Sequence, residues 1–266
     1  MMIKIFLTTF CALFFSFLHA QDFNNGNTYF FLGVRFPIIA VRDVGHSPLI
    51  YRGLVSTIIV GYEKRLPDYV SRFEARVGIG SASPKMKPRT DRMLSSADVN
   101  NIEISYTYFR GINNYVLDDW NNYLGGRFSL MIDLREYNLP SNNLTGYHIN
   151  ASLNVAAHTQ KKLSDSWLFQ YEAAVPLLAY SVRPNYNGTF PDLSTETDMV
   201  KKFLKSGTFV TIPTYFRFTN NFSFTQNIND GRERRFSYQW DYLTHQKINP
   251  LTYISGGLGY ESLFKL

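Results

Sequence analysis

Much of the chain alternates apolar and polar residues with a period of two, as a strand does when one face meets an apolar phase. In 71–79, Phe73, Ala75, Val77 and Ile79 oppose Arg72, Glu74, Arg76 and Gly78. In 100–110, Ile102, Ile104, Tyr106 and Tyr108 oppose Glu103, Ser105 and Thr107. Residues 120–134 set Trp120, Leu124, Phe128, Leu130, Ile132 and Leu134 against Gly125, Arg127, Ser129 and Asp133. Further on, Ile149, Ala151, Leu153, Val155 and Ala157 oppose Asn150, Ser152, Asn154 and His158. A soluble sandwich alternates too. Strands of about ten residues or more with a ring-rich apolar face suit a tilted crossing of a bilayer instead.

The pattern predicts strands near 28–36, 51–64, 69–81, 100–110, 120–136, 147–159, 166–180, 209–228, 234–245 and 250–265. The segment 209–228 reads as one strand because Ile212, Phe216, Phe218, Phe222, Phe224 and Ile228 share parity across Thr219-Asn220-Asn221. Splitting it, with one more strand added, gives twelve as the alternative. Ten strands return both termini to one side. The connections after odd strands, 37–50, 82–99, 137–146 and 181–208, are long, with a shorter one at 246–249. Those at 65–68, 160–165 and 229–232 are short and turn-like, and 111–119 is intermediate. In 181–208, Thr195-Glu196-Thr197-Asp198 resembles a capping box. Met199, Val200, Phe203 and Leu204 then share a helical face before Gly207, which predicts a short helix over 195–206.

Residues 1–20 read as a cleavable secretory signal. Lys4 precedes the apolar run 5–18, and Ala20 offers a small residue for cleavage. The expected organisation is therefore a signal peptide over 1–20 and one barrel domain over 21–266. Cys11, the single cysteine of the sequence, would leave with the signal. Disulfides, a cysteine zinc site and a thiol nucleophile are then excluded.

Composition agrees. Charged residues make up 18%, below the roughly 25% usual for soluble domains, while aromatics reach 16%. The mean hydropathy of −0.18 is too polar for a bundle of membrane helices. The 22 phenylalanines and 18 tyrosines are enough for two interfacial girdles. A net charge of +6 from scattered basic residues is no nucleic-acid footprint.

The chain closes Gly259-Tyr260-Glu261-Ser262-Leu263-Phe264-Lys265-Leu266. This end resembles the alternating, aromatic last strand of bacterial outer-membrane β-barrel proteins, with Phe264 serving where an aromatic terminus is usual. The whole pattern over 21–266 resembles that group, and within it the Asn- and Tyr-rich barrels of Bacteroidota. The resemblance implies an all-β, antiparallel up-and-down transmembrane barrel in the outer membrane of a Gram-negative bacterium. Membrane lipids, and an envelope protein, would be its partners. It implies no activity.

The lumen parity carries Arg72, Glu74, Arg76, Glu103, Arg127, Asp133, Glu172, Arg217, Asp241 and Glu261. Mixed signs in a narrow barrel predict a salt-bridged, packed interior, with a charged permeation path as the alternative. Lys85, Lys87, Arg89 and Arg92 make one long loop basic, a candidate site for anionic lipid. Pro176 and Pro213 fall in consecutive strands, where proline weakens a ladder, and mark a candidate lateral seam. Catalytic signals are poor. Asn227-Ile228-Asn229-Asp230-Gly231 resembles the His-x-Ser-Asn-Gly stretch of outer-membrane phospholipase A, but asparagines replace base and nucleophile. Ser152 and His158 share a face some 20 Å apart. His46 and His148 are expected as solvated rim residues. No metal-ligand spacing occurs and no cofactor is expected. The sequence thus favours a non-enzymatic barrel in transport or envelope structure. The alternatives are an enzyme acting on lipid or peptide at the extracellular rim, and a binding or secretion-accessory barrel in a complex.

Overall fold

The computed structural model describes residues 28–45, 47–84, 95–112, 120–138, 143–183, 207–247 and 250–266. The expected signal peptide, His46, the four basic residues of loop 82–99 and the helix expected over 195–206 lie outside the described residues.

Among the described residues eleven strands follow one another: β1 (Thr28–Asp43), β2 (Tyr51–Arg65), β3 (Tyr69–Pro84), β4 (Ser96–Gly111), β5 (Asn121–Asn138), β6 (Asn143–Lys162), β7 (Trp167–Val182), β8 (Thr208–Val210), β9 (Tyr215–Asn229), β10 (Arg232–His245) and β11 (Leu251–Lys265). Ten of them form a closed antiparallel barrel, and β8 is a three-residue addition beside β7. Neighbours in sequence pair from β1 to β7, β9 continues to β10 and β11, and β11 returns to β1. Leu266 N donates to Thr28 O at 2.8 Å, so both ends of the barrel meet at one rim, here called the lower. Three short turns, 66–68, 163–166 and 230–231, also lie there.

Several strands outrun their sequence-based limits. β1 continues to Asp43 through a segment expected as loop, and β6 begins at Asn143 rather than 147. The long 209–228 strand is corrected more deeply. It is two pieces, β8 and β9, separated by 211–214. Phe209 points outward and Val210 inward, whereas Phe216 and Phe218 share the outer face below Tyr215, which is buried. The inward positions thus change parity across the break. The even-numbered run included Ile212, which is exposed in the turn and belongs to neither strand.

The outer surface is apolar. Phe30, Leu32, Val34, Phe36 and Ile38 alternate along β1 with buried inward residues, and Leu54, Ile58 and Val60 continue the face on β2. Inside, the lumen is filled in layers. A floor of Phe31, Ile59 and Leu263 lies low. Val70, Phe109, Tyr123, Ala156 and Ala174 pack beside it. The upper lumen holds a larger apolar cluster that includes Ile39, Val41, Tyr51, Val55, Val99, Tyr137, Leu243 and Leu251. Between floor and roof the inward residues are mostly charged.

The floor makes a measurable contribution. Leu263 is fully buried against Phe31 and Ile59. Leu263→Ala is expected to lower stability by about 2–5 kcal/mol, the usual cost of a cavity at such a site. Equilibrium urea unfolding of the refolded barrel measures it.

Candidate functional site: a cross-braced lumen and an interrupted wall

The charged residues face inward because strand alternation sends every second side chain there. An unpaired charge in that confined space would be costly, and the charges are paired, most of them across strands, with Glu74 and Asp133 meeting arginines of their own strands. In the lower lumen Arg235 spans from β10 to Glu63 on β2 at 2.8 and 2.9 Å, and to Glu261 on β11 at 3.0 Å. Arg72 on β3 reaches the same Glu261 at 3.1 Å and Glu74 at 2.6 Å. Arg65 pairs with Glu233 at 2.8 Å and also with Glu63.

Glu103 is the hub of the middle layer. Arg217 on β9 forks onto both its oxygens, each at 3.0 Å, across the lumen from β4. Arg127 adds a bond at 3.2 Å, and Arg76 lies 3.7 Å away while bonding Glu74. Glu172 stands 3.6 Å from Arg127, and Asp241 stands 3.7 Å from Arg217. Near the top, Asp43 on β1 receives Arg135 from β5 at 3.2 Å and Arg183, just beyond β7, at 2.9 Å. Asp133 pairs with Arg135 at 3.0 Å. The structure therefore places all nine lumen residues singled out in the sequence, with Glu261, in the interior. Arg35, Asp43, Glu63, Arg65, Arg135, Arg183, Glu233 and Arg235 join them. Parity would have found Glu63, Arg135 and Arg235. Asp43 was hidden because its segment reads as loop.

A cavity of about 70 Å³ lies above the Glu103 layer, lined by Arg35, Arg76, Glu103, Asp133, His148, Arg217, Asp241, Leu243 and Tyr253 among others. That is room for a few waters.

The rim histidine expected at 148 is corrected. His148 is fully buried and faces the lumen, because β6 begins above it and its parity is that of Asn150. Its Nε2 lies 3.1 Å from Ser181 Oγ, and its ring stands 5.7 Å from that of His245. Asn150 accepts from Tyr215 at 3.2 Å. His148 lines the cavity, and Ser181 is buried in contact with it. Ser152 bonds Ser129 at 2.9 Å, while His158 lies between Phe109 and Tyr123. These two remain apart. Asn227 and Asn229 lie at the end of β9, before the lower turn at 230–231. No cluster of three metal-ligating side chains occurs among the described residues.

The second feature lies in the wall. β7 and β9 are paired from Trp167 with Gln226 up to Ala174 with Thr219, where the ladder stops. Pairing resumes at Ala179 with Val210 of β8. From 174 to 179 is five steps on one strand, while 219 to 210 is nine on the other, an excess of four. Residues 215–218 keep their pairing with β10, but 175–178 have no ladder partner on that side. On its other side β7 bulges, since Leu153 pairs with Leu178 and Asn154 with Pro176, leaving Leu177 over. Pro176 is buried within the strand. Pro213 is not in a strand; it sits in the exposed turn 211–214, which corrects its expected place.

No known protein family matches the sequence, and no curated protein is significantly similar to it. Solved structures are similar in fold. The outer-membrane protease OmpT of Escherichia coli aligns over 93% of this chain and 99% of its own, with a TM-score of 0.51 at 7% identity. Neisserial surface protein A aligns over 89% and 97%, with a TM-score of 0.35 at 11% identity. The architecture is that of bacterial outer-membrane barrels.

The Glu103 hub generates a test. Glu103→Gln leaves Arg217, Arg127 and Arg76 facing a neutral group in a buried site. Breaking such a network costs about 3–5 kcal/mol. The same substitution at Glu136, exposed on the outer face, is expected to change stability by less than about 0.5 kcal/mol. Urea unfolding of both variants gives the comparison.

Proposed function

We propose that the protein is a non-enzymatic barrel of a Gram-negative outer membrane, exported with loss of its first 20 residues, whose braced lumen carries no open aqueous path. It serves in transport or in the structure of the envelope, with outer-membrane lipids as its surroundings. One observation carries this reading: Arg217 to Glu103, Arg235 to Glu63 and Asp43 to Arg135 each span the lumen between non-adjacent strands. A barrel tied across its own bore at three levels has lost the bore. The apolar outer face supports the membrane setting, since Ile38, Ile58, Ile79, Phe128, Leu153 and Leu258 would otherwise be in water. The fold of OmpT supports the architecture and does not bring its activity.

Planar bilayers test the closed lumen. The reconstituted protein is expected to give no discrete conductance steps, and regular steps at neutral pH would overturn the reading. The membrane setting has its own test. Phe128→Arg, on the outward face opposite Tyr106, is expected to cost about 2–4 kcal/mol of stability in lipid vesicles, the cost of a cation near the midplane. A loss near zero would place that face in water.

A further inference from the structure

The break between β7 and the β8–β9 side is bounded below and above by pairing and ring contacts that join the strands. Below it, aromatic pairs lace the joint, with Tyr171 and Phe222 rings 4.7 Å apart and Phe169 and Phe224 5.2 Å apart. Above it, Tyr180 and Phe209 close the joint again at 5.1 Å. At the break itself the rings of β9 turn the other way. Phe216 contacts Tyr242 at 6.2 Å and Phe218 contacts Trp240 at 6.1 Å, both on β10. Toward β9, residues 175–178 therefore have no ladder partner, and the rings of Phe216 and Phe218 stand against β10 instead.

The surroundings on both sides are apolar. Outside, Leu177 is 63% exposed, Ile212 54% and Phe209 69%. Inside, Ala179, Val210 and Tyr215 at the edges of the break belong to the upper apolar cluster that holds Leu243 and packs against Met131 and Tyr253. Below that cluster the Arg217–Glu103 fork closes the lumen. Apolar residues thus stand on both faces of the wall at the break, and Arg217, inward between Phe216 and Phe218, is held to Glu103. A backbone that faces hydrocarbon without ladder partners is disfavoured in a closed barrel, so the interruption needs a reason beyond packing.

We propose that this break is a lateral portal through which a single acyl chain passes between the bilayer and the upper lumen. The proposal rests on the membrane setting above but not on the absence of conductance, which a different measurement tests. The chain lies between Leu177 and Leu178 on one lip and Phe216 and Phe218 on the other, and its end reaches Met131, Leu243 and Tyr253. The chemistry recognised is an unbranched hydrocarbon tail, from a free fatty acid or from a membrane lipid. Removing the prolines does not close such a portal, because the four surplus residues at 211–214 would still hold the strands out of register.

A covalent staple does close it. Continuing the register of Ala174 with Thr219 would bring 175 beside 218, so V175C/F218C can be oxidised across the break. Vesicles containing the full barrel and a fatty acid with a terminal diazirine are irradiated, and the labelled residues are read by mass spectrometry. Label is expected on Met131, Leu243 or Tyr253 in the native protein, to fall at least tenfold in the oxidised double variant, and to return on reduction. If the staple does not form, V175E at the outer lip should cut the inner label by a similar factor. Label confined to outward residues such as Leu177 and Phe209 overturns the proposal. Inner label that neither variant reduces overturns it as well, since the chain then enters from the rim. A parallel arm with a diazirine phospholipid identifies the source: label from the fatty acid alone means a free amphiphile, and label from both means a lipid tail.

Discussion

Every peptide group in a strand that faces hydrocarbon needs a partner in the wall, and closure of the ladder is the arrangement that supplies one. The pairing of β11 with β1 and of β6 with β7 turns a sheet with two edges into a cylinder with none. Once closed, the cylinder sorts side chains by parity into an outer apolar skin and an interior that must satisfy its own polar groups. The departures from this rule carry the most information. Over 175–178 the ladder toward β9 is missing, and the parity of the inward residues shifts on both strands, from Pro176 to Ala179 and from Val210 to Tyr215.

The interior solves its electrostatics with arginine. A guanidinium can fork onto one carboxylate and still reach another, which a lysine cannot do in the same plane. Arg217 shows the geometry on Glu103, and Arg235 shows it on Glu63 and Glu261. Replacing a whole network by packed apolar side chains would be no less stable in many proteins, so its value here is not stability alone. Charges paired across the lumen tie together strands that are not neighbours in the wall.

The lumen is thus divided. Above its apolar floor the middle is charged and tied, whereas the upper part holds the apolar cluster around Val41, Tyr51, Leu243 and Leu251 beside the Asp43 ion pairs. An interior meant to conduct ions would carry its polar lining to both mouths. Here the upper apolar cluster stops at the charged layer and borders the interrupted wall at Ala179, Val210 and Tyr215. The Asp43–Arg135–Arg183 group stands near the upper rim and ties β1 to β5 and to the end of β7 without crossing the break.

The sequence by itself determined what depends on period and composition. Alternation at Phe73–Ile79 and at Ile102–Tyr108 gave the strands, their outer face and the even count, because a period of two is a local property. Inward positions of Arg127 and Asp133 were legible for the same reason. The prolines pointed to the wall between β7 and its neighbour, although Pro213 lies in a turn rather than in a strand. Only the tertiary structure decided which charges meet. Nothing local links Arg217 to Glu103, 114 residues earlier, or Asp43 to Arg183. It also decided that His148 is buried against Ser181, since the upper limit of β6 depends on its pairing with β5 through Asn138 and Asn143. The parity of 212–228 looked continuous because alternation records which residues are apolar, not where a strand leaves its partner. That departure is set by register between two strands, and register is a property of the closed barrel.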